Sequence, residues 1–120
     1  NRSILKTAVD FIDSHYMDEE ISLNRVAHAA NVSANHFSAL FSQNMGQTFI
    51  EYLTTLRMNK AKELLETTNM KISQIAKEVG FSNNSYFCRS FREFFGDTPE
   101  ACRKGIAADE KTNTEVDPSI

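Results

Sequence analysis

The chain has 120 residues, 41% of them apolar and 24% charged, which fits one ordinary soluble domain with a modest core, so that two sub-cores would have to share an element. The opening Asn1-Arg2-Ser3-Ile4-Leu5-Lys6 leads into no apolar run, no stretch approaches the roughly 18 apolar residues of a membrane span, and Cys88 and Cys102 make neither a disulfide framework nor a zinc site. Thirteen Lys and Arg against sixteen Asp and Glu leave a net charge of −3, which argues mildly against a nucleic-acid partner.

Helical periodicity appears at once. Ile4, Ala8, Phe11 and Ile12 line one face of an amphipathic helix that the spacing ends near Met17. After the polar turn Asp18-Glu19-Glu20, Ser22 caps a second helix with Leu23, Val26, Ala27 and Ala30 inward. Asn31-Val32 turns the chain, Ser33 caps a third helix carrying Phe37, Leu40 and Phe41, and Gly46 stops it. Thr48 with Glu51 three residues on reads as a capping box, opening a helix to about Thr67 with Phe49, Ile50, Leu53, Leu56, Ala61, Leu64 and Leu65 as its apolar set. A short helix with Ile72, Ile75, Ala76 and Val79 inward closes at Gly80. Ser82 or Asn83 opens the next, with Tyr86, Phe87, Phe91, Phe94 and Phe95. Thr98-Pro99-Glu100 is a cap followed by proline at the first position of a last short helix. No segment alternates with period 2. The expectation is an all-α fold of seven helices over 1–105, followed by an acidic, disordered tail over 106–120.

The pattern occurs twice. Leu23, Val26, Ala27, Ala30, Val32 and Ser33 return 49 residues later as Ile72, Ile75, Ala76, Val79, Phe81 and Ser82. Past one inserted residue, Phe37, Phe41, Gly46 and Thr48 return 50 residues later as Phe87, Phe91, Gly96 and Thr98. Each copy is a short helix with a small alanine, a tight turn, a cap and a second helix, which is the helix-turn-helix pattern. This divides the ordered chain into a first unit over 4–46, a linker helix over 48–67 and a second unit over 71–104. A linker of about 20 residues is roughly 30 Å long, against the 34 Å or so between successive major grooves on one face of B-DNA. One chain then has the reach to set two reading helices in neighbouring grooves.

Ile72-Ser73-Gln74-Ile75-Ala76-Lys77-Glu78-Val79-Gly80-Phe81-Ser82, Tyr86-Phe87-Cys88-Arg89-Ser90-Phe91-Arg92 and Phe95-Gly96-Asp97-Thr98-Pro99 together resemble the signature of AraC/XylS-type regulators. The resemblance runs over about residues 4–104 and includes the linker stretch from Arg57 to Leu65, and the first helix with Ile21-Ser22-Leu23 resembles the output domains of YesN-like response regulators. It implies transcription control, often activation, with double-stranded DNA and RNA polymerase as partners and a sensor or receiver domain upstream. A chain that starts without methionine is in keeping with a piece of such a protein, and the expected compartment is the cytoplasm. Two departures stand out: Cys102 occupies the place of the aromatic the family carries after its final proline, and no Lys or Arg lies between Ser33 and Met45.

In a helix-turn-helix the second helix enters the major groove with its N-terminal residues at the base edges. With Phe87 and Phe91 inward, Asn84, Ser85, Cys88 and Arg89 are expected outside, and the resemblance places base contacts there. Arg89 suits guanine O6/N7 and Asn84 adenine N6/N7, while Arg92, one turn on, suits phosphate. The bland alternative for Arg89 is an ion pair with Glu93. In the first unit Asn35, His36, Ser38, Ala39 and Ser42 are outside, with Asn35 and Ser38 as readers, Ala39 against a thymine methyl and His36 at the groove edge. The helix starts at Ser33 and Ser82 offer backbone amides to phosphate. Arg57 is expected to pair with an acid and Arg103 to brace the last helix, and Tyr86, Phe94 and Phe95 read as core rather than as stacking platforms.

Charge follows the same division. Residues 1–50 carry three bases and five acids, residues 51–105 nine bases and seven acids, and the tail alone adds −3. Two rivals remain. An enzyme lacks support: His15, His28 and His36 make no metal-binding pair, no carboxylates converge by spacing, and no glycine loop resembles a phosphate cradle, so neither metal nor cofactor is expected. A helical protein-interaction module that has lost DNA binding would explain the neutral core and the uncharged first reading helix, but would show none of the steep salt dependence of phosphate contacts.

Overall fold

The computed structural model describes residues 2–105, and the tail over 106–120 lies outside them. Seven helices follow one another: α1 Arg2–His15, α2 Leu23–Ala29, α3 Ala34–Met45, α4 Phe49–Thr67, α5 Ile72–Glu78, α6 Asn84–Phe95 and α7 over 99–105, with no strand among the described residues. The starts are set by side-chain oxygens that satisfy orphan amides. Ser22 Oγ accepts from the Arg25 amide at 3.1 Å, Ser33 Oγ from His36 at 3.2 Å and Thr98 Oγ1 from Ala101 at 3.1 Å. At α4 the box is complete, with Thr48 Oγ1 accepting from the Glu51 amide and the Glu51 carboxylate from the Thr48 amide, at 3.1 and 2.8 Å.

The sixth helix corrects the expected register. Asn83, not Ser82, is the cap, its Oδ1 accepting from the Tyr86 amide at 2.9 Å. Asn83 lies 50 residues after Ser33, so the residue inserted in the second copy is Ser82 itself, ahead of the cap. Ser82 is left exposed in the turn.

Two cores form. The first gathers Ala8 and Ile12 of α1, Val26 and Ala27 of α2, and Phe37 and Phe41 of α3 around Phe49 and Leu53 of α4. The second gathers Ile75, Ala76 and Val79, with Phe81, Phe87 and Phe91, around Met58, Ala61 and Leu65 of the same α4. The shared element is therefore the linker helix. From Leu53 to Met58 is a five-residue step, about 140° round a helix, so α4 turns a different side to each core. This overturns part of the expected apolar set: Ile50 is 62% exposed, whereas Met58 is fully buried. Phenylalanine pairs one turn apart fill both centres, with Phe37 and Phe41 ring centroids 5.5 Å apart and those of Phe87 and Phe91 5.9 Å apart.

Candidate nucleic-acid interface

Burial of Phe37, Leu40 and Phe41 leaves the opposite side of α3 to solvent. Asn35, His36, Ser38 and Ala39 are exposed there, and Ser42 is half-buried. The helix has twelve residues and no Lys, Arg, Asp or Glu, so what it offers is short hydrogen-bonding groups and a methyl. Gln43 is also exposed, one turn beyond Ala39, and was not among the expected readers although the i, i+4 spacing places it on their face.

On α6, Asn84, Ser85, Arg89 and Arg92 are exposed as expected, and Cys88 is half-buried. Following Phe87 directly, it packs half-buried against the second core, its thiol 3.9 Å from Asn84 Oδ1, and burial pushes that thiol's pKa up.

The aromatics depart from expectation as well. Tyr86 is 54% exposed and Phe94 40%, while Phe95 is half-buried against the second core. One helix can turn only one stripe to a single core, and in α6 Phe87 and Phe91 take its centre. The Tyr86 ring rests on Phe81, with centroids 5.7 Å apart, and the Arg89 guanidinium lies 5.8 Å from the Tyr86 centroid. Among the described residues Arg89 makes no ion pair with Glu93. A ring face steadies a guanidinium by about 0.5–1 kcal/mol at an exposed site without occupying its N–H groups, so Arg89 is held yet free to donate.

Two further arginines face inward. Arg103 of α7 donates to the Leu65 carbonyl in the last turn of α4 at 3.3 Å, and to those of Met70 and Thr68 in the segment that follows, at 2.7 and 3.2 Å. It braces the last helix against the linker. Among the described residues Arg57 has no carboxylate partner, contrary to expectation. Its Nε donates to the Tyr16 carbonyl at 2.6 Å and its Nη2 to the Asp18 carbonyl at 2.8 Å, in the turn between α1 and α2. The Asp18 carboxylate is already taken by Arg25 at 3.2 Å and by the Glu20 amide at 2.9 Å, which together with Arg25's charge hold its pKa below the usual carboxylate value. Both arginines are committed to backbone carbonyls of the chain itself.

The exposed sets on α3 and α6 thus belong to matched helix-turn-helix units carried on one linker. A helix-turn-helix domain model matches residues 26–105, two thirds of the chain. The regulatory protein PocR of Salmonella typhimurium is 38% identical over 104 residues, covering 87% of this chain and 34% of PocR. The C-terminal domain of AraT, a response regulator from Geobacillus stearothermophilus, superposes with a TM-score of 0.83 at 35% identity, covering 85% of this chain and 84% of that one. A transcriptional regulator of the AraC-type DNA-binding class from Chromobacterium violaceum gives 0.75 at 32% identity, covering 86% and 91%. The chain belongs to the AraC-type helix-turn-helix family. It spans about a third of the length of the curated relatives it matches, 34% of PocR. Cys102, at the place where the resemblance sets an aromatic, packs half-buried against the second core.

Proposed function

We propose that this AraC-type domain is the DNA-reading output domain of a transcription activator, with α3 and α6 entering successive major grooves of one duplex. The observation that carries the reading is the pairing of two buried phenylalanine sets, Phe37 with Phe41 and Phe87 with Phe91, each leaving a polar helix face outside and both anchored on one 19-residue α4. At about 1.5 Å per residue α4 is roughly 28 Å long, close to one turn of B-DNA. Arg89 and Asn84 pair with guanine and adenine edges, Ser85 adds a hydroxyl, and Arg92 meets phosphate. Asn35, Ser38, Ala39 and Gln43 read the other half-site, with His36 and Ser42 at its margin. The amides opening α3 and α6, at Ser33 and Asn83, face phosphate. The domain is non-catalytic in this reading. A sensor or receiver domain sits upstream, RNA polymerase is the partner at the promoter, and the compartment is the cytoplasm; the response-regulator relative supports that arrangement.

Selection of bound duplexes from a random library tests the reading. Two half-sites about one helical turn apart are expected, with affinity falling steeply as salt rises. Arg89→Ala should lose discrimination at one base pair of one half-site, a bidentate contact being worth about 1–3 kcal/mol. Asn35→Ala combined with Ser38→Ala should change the other half-site. A library from which nothing is retained at low salt would leave a protein-interaction module as the remaining reading.

A further inference from the structure

The place where the two units meet is occupied by one side chain. Arg57 lies on α4 between the side turned to the first core and the side turned to the second. Its Nε and Nη2 donate to the Tyr16 and Asp18 carbonyls of the first unit, and its guanidinium carbon lies 5.5 Å from the centroid of Phe81 in the second. The same guanidinium sits against Gly80, where a Cβ would come within 2.9 Å of it. We infer that Arg57 is a positioning residue that locks the two helix-turn-helix units at one mutual orientation and so sets the half-site spacing the domain accepts.

The duplication provides a comparison. Gly80 and Asn31 occupy the same turn position, 49 residues apart, and both have positive φ, +100° and +61°. Asn31, exposed in the first unit, sits in the left-handed region that a short polar side chain can adopt, whereas the φ of Gly80 lies beyond it. At Gly80 the backbone conformation already strains any side chain, and the Arg57 guanidinium fills the space a Cβ would take. A planar fork suits this place: it can lie flat on Phe81 while two of its N–H groups reach carbonyls on the far side, which a lysine ammonium cannot do. Burial pulls the Arg57 pKa down from its usual value, but a guanidinium stays charged at any pH the protein meets, so the lock does not titrate.

The lock is tested first without DNA. Amide residual dipolar couplings of the 15N-labelled chain should fit one alignment tensor for α1–α3 and α5–α6 together. In Arg57→Gln each unit should still fit its own structure, but with two tensors of different magnitude. Arg57→Lys, which keeps the charge and an apolar stem but loses the planar fork, should give the same result and guards against a variant that fails to fold. A single tensor in both variants overturns the proposal. The second arm rests on the DNA reading and uses duplexes selected by the unmodified chain. Arg57→Gln should bind a two-half-site duplex about tenfold more weakly and a duplex with one half-site scrambled within about twofold, because only simultaneous engagement depends on orientation. It should also tolerate a spacer altered by one base pair. Equal losses on both duplexes would overturn the proposal. If no duplex is retained by the unmodified chain, the DNA reading fails while the couplings still decide whether Arg57 is a lock.

Discussion

The two helix-turn-helix units are built on one plan and finished differently. Both bury a phenylalanine pair one turn apart, both end their second helix on a left-handed glycine, and both lean on α4. The first adds α1, tied to the linker by Tyr52, whose hydroxyl donates to Asp13 at 3.0 Å. The second adds α7, tied to the same helix by the Arg103 fork. Their outer faces differ more. α3 carries no charged residue, whereas α6 presents Arg89 and Arg92. Recognition chemistry can thus vary between copies because the fold constrains only the buried stripe. If both bind DNA, the second unit supplies most of the counterion release and the first contributes mainly base-edge discrimination.

The largest effects should come from the cores. Phe37→Ala and Phe87→Ala each remove a fully buried ring, a change that costs about 3–5 kcal/mol. Hydrogen exchange resolved by residue should then show protection lost in α2 and α3 for the first variant and in α5 and α6 for the second. Equal loss in both units from either variant would mean that α4 fuses the two cores into one cooperative body, and the comparison would have to be redrawn. Arg103→Ala should come next. It frees one carbonyl in the last turn of α4 and two in the segment after it, and with charge-assisted bonds worth about 1.5–3 kcal/mol the expected loss in urea denaturation is about 2 kcal/mol, read in the second unit.

These cores were legible in the sequence because a buried stripe is a local pattern. Phe37 with Phe41 and Phe87 with Phe91 announce their faces by spacing alone, and Ser22, Ser33 and Thr48 announce helix starts by residue type. The misreadings share one cause, which is that a side chain's partners lie far along the chain. Arg57 reaches carbonyls 41 and 39 residues away, and helical position alone suggested an acid instead. Tyr86 and Phe94 have core-like chemistry in a helix whose one core stripe is already filled, so they stay in part outside. Ile50 was placed inward by treating α4 as a helix with a single apolar face, whereas it serves two cores on different sides.

The caps separate the two units at smaller magnitude. Ser33→Ala and Asn83→Ala should each cost about 1 kcal/mol by urea denaturation, since each oxygen satisfies one orphan amide. Ser82→Ala, in an exposed turn position with no capping bond, should stay within about 0.5 kcal/mol of the unmodified chain. A loss at Ser82 equal to that at Asn83 would restore the register in which Ser82 matches Ser33.

The smallest expected effect falls on the first unit and only in alkali. Burial and the bond to Asp13 push the Tyr52 hydroxyl from its ordinary value of 10.0 up to about 12. The folded chain therefore holds this proton more tightly than the unfolded chain does. Below the unfolded value the contribution to stability is fully present, and it is lost as pH rises from about 10 through about 12. The informative quantity is a difference between variants. Tyr52→Phe has no such proton to lose, and its urea midpoint should fall less between those pH values than that of the unmodified chain. The divergence should appear in exchange protection of α1 and the first half of α4, the elements the Tyr52–Asp13 bond joins, and not in α5 and α6. Parallel pH profiles for the two proteins would show that this bond contributes nothing to holding α1 on the linker, leaving the apolar contacts of Ala8 and Ile12 as its attachment.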